Sequence, residues 1–200
     1  MHSNRHFRWE DKAEIMAFVQ GVSFAHLFVQ GDDGPLVAHV PVVVTGEGHL
    51  RFHLALSNPV AKQIEGRVAL ASIAGAEAYI SPDWYGADDQ VPTWNYVTAE
   101  ITGPVTRLSD TDLAAQIDDL SAEHENRLLP KKPWTSGKMS PGLFDGLLKS
   151  ILGFELKAES VVGTRKLGQN KPAEQIAGAV AGLRAAGNPA VADLMAGRVE

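Results

Sequence analysis

A chain of 200 residues with 44% hydrophobic and 21% charged residues can bury the core of one domain and is not disordered by composition. Its net charge of −6 works against affinity for nucleic-acid phosphates, and with no cysteine it can form no disulfide, thiolate metal site, iron–sulfur cluster or cysteine nucleophile. No apolar run reaches the roughly 18 residues of a membrane helix, and MHSNRHFRWEDK lacks an apolar leader core, so a cytoplasmic chain off the membrane is expected.

In chain order, DKAEIMAFVQ at 11–20 places Ile15, Met16, Phe18 and Val19 at helical spacing, with Gly21 as the expected stop. From Val22 the texture turns to β: VSFAHLFVQ, LVAHVPVVV and HLRFHLALS, broken by GDDG and TGEG, read as an antiparallel meander. NPVAKQIEG predicts a turn and about two helical turns. The strands RVALASIAG and EAYIS follow, then the loop PDWYGADDQVP and the strands TWNYVTAEITG and PVTRL. This close spacing of strands points to a barrel or sandwich rather than βαβ units.

Ser109, three residues before Asp112, predicts a capped helix reaching about Arg127, with Leu113, Ile117 and Leu120 as its apolar stripe. A connector rich in proline and lysine leads to Ser140-Pro141, read as N-cap and first position of a helix through PGLFDGLLKSIL. GFELKAESVVG is strand-like, and the final thirty residues predict a helical extension.

Several groups could carry chemistry. Alternation puts His53 on the face of its strand away from Phe52, Leu54 and Leu56. His39 lies on the preceding run, so a hairpin through TGEG would make the two histidines neighbours. They could bind a phosphate, a ring or a metal, or be plain surface histidines. A helix opening at Asn58-Pro59 with Lys62 on its first turn would bind an anion, or simply be a capped surface helix.

Residues 78–96, AYISPDWYGADDQVPTWNY, hold two of the four tryptophans and all three tyrosines beside two prolines. Such a stiffened loop could line a planar-ligand pocket, pack as core or form an interface. As a strand, TWNYVTAEI would put Thr93, Asn95 and Val97 on one face to read a ligand's polar edge, and Trp94, Tyr96 and Thr98 on the other to pack. GTRKLGQN at 163–170 is a possible anion clamp or a basic turn. No P-loop, GxGxxG, GxSxG or HExxH occurs, and no residue stands out as a catalytic acid or base.

Taken in order, HFRWED, AHVP (38–41), HLALSNP (53–59), AYISPDWY, VPTWNY, LGFEL (152–156) and KLGQN (166–170) resemble the PaiB-like proteins, also called FMN-binding negative transcriptional regulators. The resemblance spans roughly residues 5–184, and ISPxWY followed by VPTWNY is its specific part. It implies a mainly β (α+β) protein, an FMN-binding split β-barrel with helical additions, related to pyridoxamine-phosphate-oxidase-like flavoproteins. One domain would cover 1–170, with a helical insertion at about 109–150 and a helical extension over 171–200.

The resemblance further implies a homodimer with ligand clefts at the subunit boundary and flavin mononucleotide (FMN) as the small-molecule partner. By matched motifs, His39, His53, Asn58, Lys62, Ser81, Trp84, Thr93, Trp94, Asn95, Lys166 and Gln169 are the candidate cofactor-binding residues. The expected role is a flavin-linked sensor or regulator with no membrane partner, acting through a small molecule or protein in preference to direct operator binding. The alternatives are an FMN-dependent oxidoreductase and a haem-binding split barrel. Three family features differ: Ala38 stands where a hydroxyl residue is usual, KLGQN where KLSQN is usual, and the opening MHSNRHF where MYxPxHF is usual.

Overall fold

The computed structural model describes residues 4–197 and divides them into two compact units, each assembled from separated segments. One takes the residues up to 15, then 74–99, then those from 162 onward; the other takes 16–73 and 100–161. In chain order the elements are β1 (Arg8–Trp9), α1 (Lys12–Val22), β2 (Phe24–Gly31), β3 (Gly34–Pro41), β4 (Val43–Val44), β5 (Leu50–Ala55), β6 (Val68–Ile80), β7 (Thr93–Arg107), α2 (Asp110–Asn126), α3 (Leu143–Leu148), β8 (Ile151–Leu156), β9 (Ser160–Lys166), α4 (Ala173–Ala185) and α5 (Pro189–Ala196).

Along the main path of the sheet the strands lie in the order β3-β2-β6-β7-β8-β5-β4. The expected hairpins β2–β3 and β4–β5 form, but the meander does not: β6 pairs with β2, and β5 pairs with β8. Alternation tells which face of a strand is buried and not which strand lies beside it. Phe52 opposes Phe154 across β5 and β8, with ring centroids 5.7 Å apart. Leu50, Leu54, Ile101, Val105 and Leu156 are buried with them. Truncating either ring to alanine would cost about 3–5 kcal/mol.

β6 and β7 are each one long strand where four short ones were expected. Gly103-Pro104 looks like a break and is not one. A Cβ at Gly103 would lie 1.7 Å from the Lys157 carbonyl oxygen, so only glycine lets the turn after β8 cross there. Pro104 needs only its carbonyl, which accepts from the Lys157 amide at 3.0 Å.

Ser109 caps α2 as expected, its Oγ accepting from the Asp112 amide at 3.1 Å. At the other end of α2, Arg127 donates to the Gly21 and Gln20 carbonyls at 2.8 and 2.7 Å, satisfying the last turn of α1, which runs through Gly21 instead of stopping there. After Ser57 the expected two helical turns are absent. Residues 58–66 form overlapping turns, because Val60, Ala61 and Ile64 are all drawn into the core. The helix expected from Ser140 shrinks to α3, and Ile151 and Leu152 belong to β8.

The other unit joins β1 to β9 in antiparallel register, Trp9 facing Gly163, with β9 also pairing β7. The Trp9 indole donates to Glu14 at 2.9 Å, and the Arg165 guanidinium lies 3.4 Å over the Trp9 ring while reaching the same carboxylate at 2.9 Å. The helical extension is two helices, α4 and α5, which bury Ile176, Val180, Leu183, Val191 and Met195. The last three residues of the expected extension, 198–200, lie outside the described residues.

Candidate functional site

The aromatic segment divides its labour. Pro82–Tyr85 form a short 3-10 turn that ends on Gly86 in the left-handed region. Trp84 leans on α4, where a Cβ at Gly178 or Gly182 would lie 2.1 or 2.3 Å from Trp84 atoms. The ring therefore docks the loop onto the helix, and the two glycines make room for it. Tyr85 is buried, which pushes its phenol above the ordinary range.

β7 begins at Thr93 and alternates strictly. The face expected to pack is the open one. Trp94 is 54% exposed and meets Tyr79 edge to face at 6.3 Å, while Tyr96 and Thr98 are half-buried. Asn95 and Val97 point inward instead, and Asn95 donates to the Met195 sulfur at 3.2 Å. The extension that supplies Met195 decides which face is interior, and β-alternation alone is blind to it.

Around Thr93 and Asn95 lies a hollow of about 220 Å³ that also takes in Tyr85, Lys166, Asn170 and Lys171. Lys166 donates to the Thr93 hydroxyl, and desolvation lowers its pKa from the ordinary value. Lys171 donates to the Gln90 amide oxygen and stands 4.9 Å from the Tyr85 ring centre. Gly168, in the hollow wall, holds φ +80, a conformation that suits glycine in the KLGQN turn. Gln169 closes that turn from within: its amide donates to the Arg165 carbonyl at 2.5 Å and accepts from the Leu167 amide at 2.7 Å.

Two ammonium groups, the Thr93 hydroxyl, the Tyr85 phenol and two carboxamides with no carboxylate make a lining for an anion or an electronegative ring edge. The volume admits a phosphoryl group or one edge of a flavin. It falls short of the roughly 300–1,000 Å³ of a site that encloses a whole ligand. The donor set thus fits the polar end of FMN, with Lys166, Thr93, Asn95 and Lys171 as the groups that would hold it. Lys171 and Tyr85 were not among the candidates read from the sequence, although Lys171 directly follows KLGQN.

The candidates in the other unit lie on different strands. His39 is exposed, and its cross-strand partner is His26, the rings 4.9 Å apart. His53 faces Gly153 across β5 and β8, and its Nδ1 lies 3.5 Å from the Gln116 amide nitrogen. The expected hairpin between the two histidines does not form, since the strand that returns through TGEG to pair with β5 is β4, not β3. Burial lowers the pKa of His53. Asn58 accepts from the Val60 amide at 2.9 Å in a tight turn, and Lys62 is exposed on the turns that replace the expected helix. Ser81 precedes the 3-10 turn without capping it.

Comparisons with known proteins give the family and the fold. Residues 1–160 match the family described as "Putative FMN-binding domain". The chain is 30% identical over 175 residues to Protease synthase and sporulation protein PAI 2 of Bacillus subtilis (strain 168), covering 86% of this chain and 83% of that one. An uncharacterized protein of Emericella nidulans, AN0679, is 25% identical over 81% of this chain and 78% of its own length.

Among solved structures, the FAD and heme binding protein from Mycobacterium smegmatis superposes with a TM-score of 0.62 at 14% identity, over 85% of this chain and 78% of that chain. The flavocytochrome Anf3 from Azotobacter vinelandii gives 0.61 at 12% identity, over 82% and 72%. At these identities the likeness concerns the fold, and it bears out the split barrel with helical additions. From its matched residues and its kinship with the Bacillus protein, this chain belongs to the FMN-binding, PaiB-like family.

Proposed function

We propose that this protein binds FMN and works as a flavin-linked regulator in the form of a homodimer. The observation that carries the reading is the carboxylate-free hollow at the start of β7, where Lys166, Lys171, Thr93 and Asn95 converge in a chain of an FMN-binding family. Lys166 and Thr93 would take phosphoryl oxygens, and the buried Asn95 would offer its amide to a ring edge. Bound FMN supplies reversible electron transfer; the chain's own residues bind it, orient it and limit water around it. His39, His53, Asn58, Lys62, Ser81, Trp84, Trp94 and Gln169 remain part of the proposed binding set.

The homodimer is supported by an apolar sheet face. By register, Phe24 and Phe28 of β2, Val37 of β3 and Val68 of β6 share one face, and Val68 is 61% exposed. A contiguous exposed patch of this kind is an association surface more often than a bare monomer face. Regulation through a small molecule or protein suits the net charge of −6 better than direct operator binding.

The test begins with a visible absorption spectrum of the protein as isolated, followed by titration of FMN monitored by flavin fluorescence. Flavin bands or saturable quenching support the reading, and unchanged fluorescence and melting temperature on FMN addition overturn it. A Soret band would replace FMN by haem. NAD(P)H oxidation that needs both FMN and protein would turn the regulator into an oxidoreductase. Light scattering on the eluting protein tests the dimer, which Phe28→Glu is expected to split; a monomeric wild type sinks it.

A further inference from the structure

The unit of 16–73 and 100–161 contains a cavity of about 780 Å³ whose lining has the opposite charge to the hollow beside Lys166. α2 contributes Gln116, Asp119 and Glu123, the turn after β4 contributes Glu47, and β5 and β8 contribute Arg51 and Glu155. Four carboxylates therefore face one guanidinium.

Two of the carboxylates are already matched. Arg51 pairs with Glu155 at 2.7 Å, and its pKa is pushed up by that contact first and by Asp112 and Asp119 at longer range. Glu123 is held by Arg127 at 2.7 Å and by the Gln20 amide at 3.2 Å, which lower its pKa. Glu47, whose side chain is 84% exposed, has only His49, at 3.5 Å, and the exposed Asp119 has, beyond its long-range interaction with Arg51, no side-chain hydrogen bond or ion pair among the described residues. Gln116 is fully buried in the same wall, and its Oε1 has no partner among the described residues. A buried acceptor without a donor is costly, so the wall is short of N–H groups as well as of positive charge.

We propose that this cavity binds a small organic cation carrying N–H donors, a primary ammonium in the first instance. The ammonium would sit between Asp119 and Glu47, and a turn of the Gln116 side chain would bring its unpartnered Oε1 out to accept from it. An anion is disfavoured by the excess of carboxylates. A bare metal ion is disfavoured because, among the described residues, no three histidine or carboxylate side chains converge as a metal would require. Carboxylates spread along a helix face and a turn suit an extended ligand with its charge on nitrogen.

The experiment is calorimetric titration of the full-length protein with hexamethylenediamine, alongside hexanediol as a neutral analogue of the same length and calcium chloride as the compact dication. The diamine should bind saturably with one site per chain, and neither control should. Asp119→Asn should weaken diamine binding about tenfold, the loss of one hydrogen-bonded charge contact. Asp118→Asn removes the same charge one residue away from a side chain outside the lining and should leave affinity unchanged. Gln116→Leu should weaken binding severalfold, with circular dichroism confirming that it folds. Equal losses in Asp118→Asn and Asp119→Asn would reduce the effect to general attraction toward an acidic protein and overturn the site. So would calcium binding at least as well as the diamine, or no diamine binding at all. FMN plays no part in any arm, so this result stands or falls apart from the flavin reading.

Discussion

The hollow beside Lys166 and the cavity beside Asp119 are lined by opposite charges within one acidic chain. The first is assembled by irregular segments: the start of β7, the KLGQN turn and Lys171. The second is assembled chiefly by one face of α2, the strands β4, β5 and β8 and the turn after β4. Net charge describes neither. A chain at −6 keeps a carboxylate-free hollow because its acids are concentrated elsewhere, several of them on α2. A total charge sets long-range steering, while a site answers to the few groups within a Debye length.

The strongest way to break this contrast is Gly103→Val. The added carbons would collide with the Lys157 carbonyl, force apart β7 and the turn after β8, and displace the strand that carries Glu155. A loss of about 3 kcal/mol or more is expected in urea unfolding, with the acidic cavity lost as well. Next in size is a reciprocal pair. Lys166→Met should weaken FMN binding about tenfold, roughly 1.4 kcal/mol, while leaving diamine binding intact; Asp119→Asn should do the reverse. Fluorescence and calorimetry on both variants would show whether the two linings act independently, and parallel losses would refute it.

A smaller effect concerns pH. Burial holds the folded-state pKa of His53 below its ordinary 6.5, so the unfolded chain binds this proton more readily than the folded one. The His53 contribution is therefore most favourable above pH 6.5 and declines as pH falls through the folded value. Melting curves taken downward from neutrality should show this slope, and His53→Gln should flatten it. The smallest effect belongs to Trp94→Ser, about 0.5 kcal/mol in stability, because that ring is more than half exposed and touches chiefly Tyr79.

Local signals were legible in the sequence wherever a side chain acts on its own neighbourhood. The Ser109 cap, the β-texture that begins at Phe24, two residues after the expected Val22, and the strand through Thr93–Asn95–Val97 all follow from spacing and turn chemistry. What spacing could not supply was partnership. β5 chooses β8, 96 residues or more downstream, and His39 chooses His26, because strand pairing is settled by closure of the whole sheet. Helical content around Asn58 yields to the burial of Ile64 for the same reason. Of the residues around the hollow, Thr93, Asn95 and Lys166 stand on motifs quoted from the sequence and Lys171 does not; the polarity of β7 was not legible, since Met195 near the far end of the chain determines that Asn95 is inside.

β7 keeps one parity from Thr93 to Arg107, with Asn95, Val97, Ala99, Ile101, Gly103 and Val105 all turned the same way and no bulge to reset the count. A one-residue insertion or deletion within it would therefore act as a frameshift in space: beyond the lesion every inward side chain would exchange places with an outward one. Downstream of a lesion near Asn95, the pairs Val105–Leu156 and Arg107–Phe154 would be misaligned along with everything between. Natural variation in length is accordingly expected in the loop at 86–92 and not in the strand that follows it.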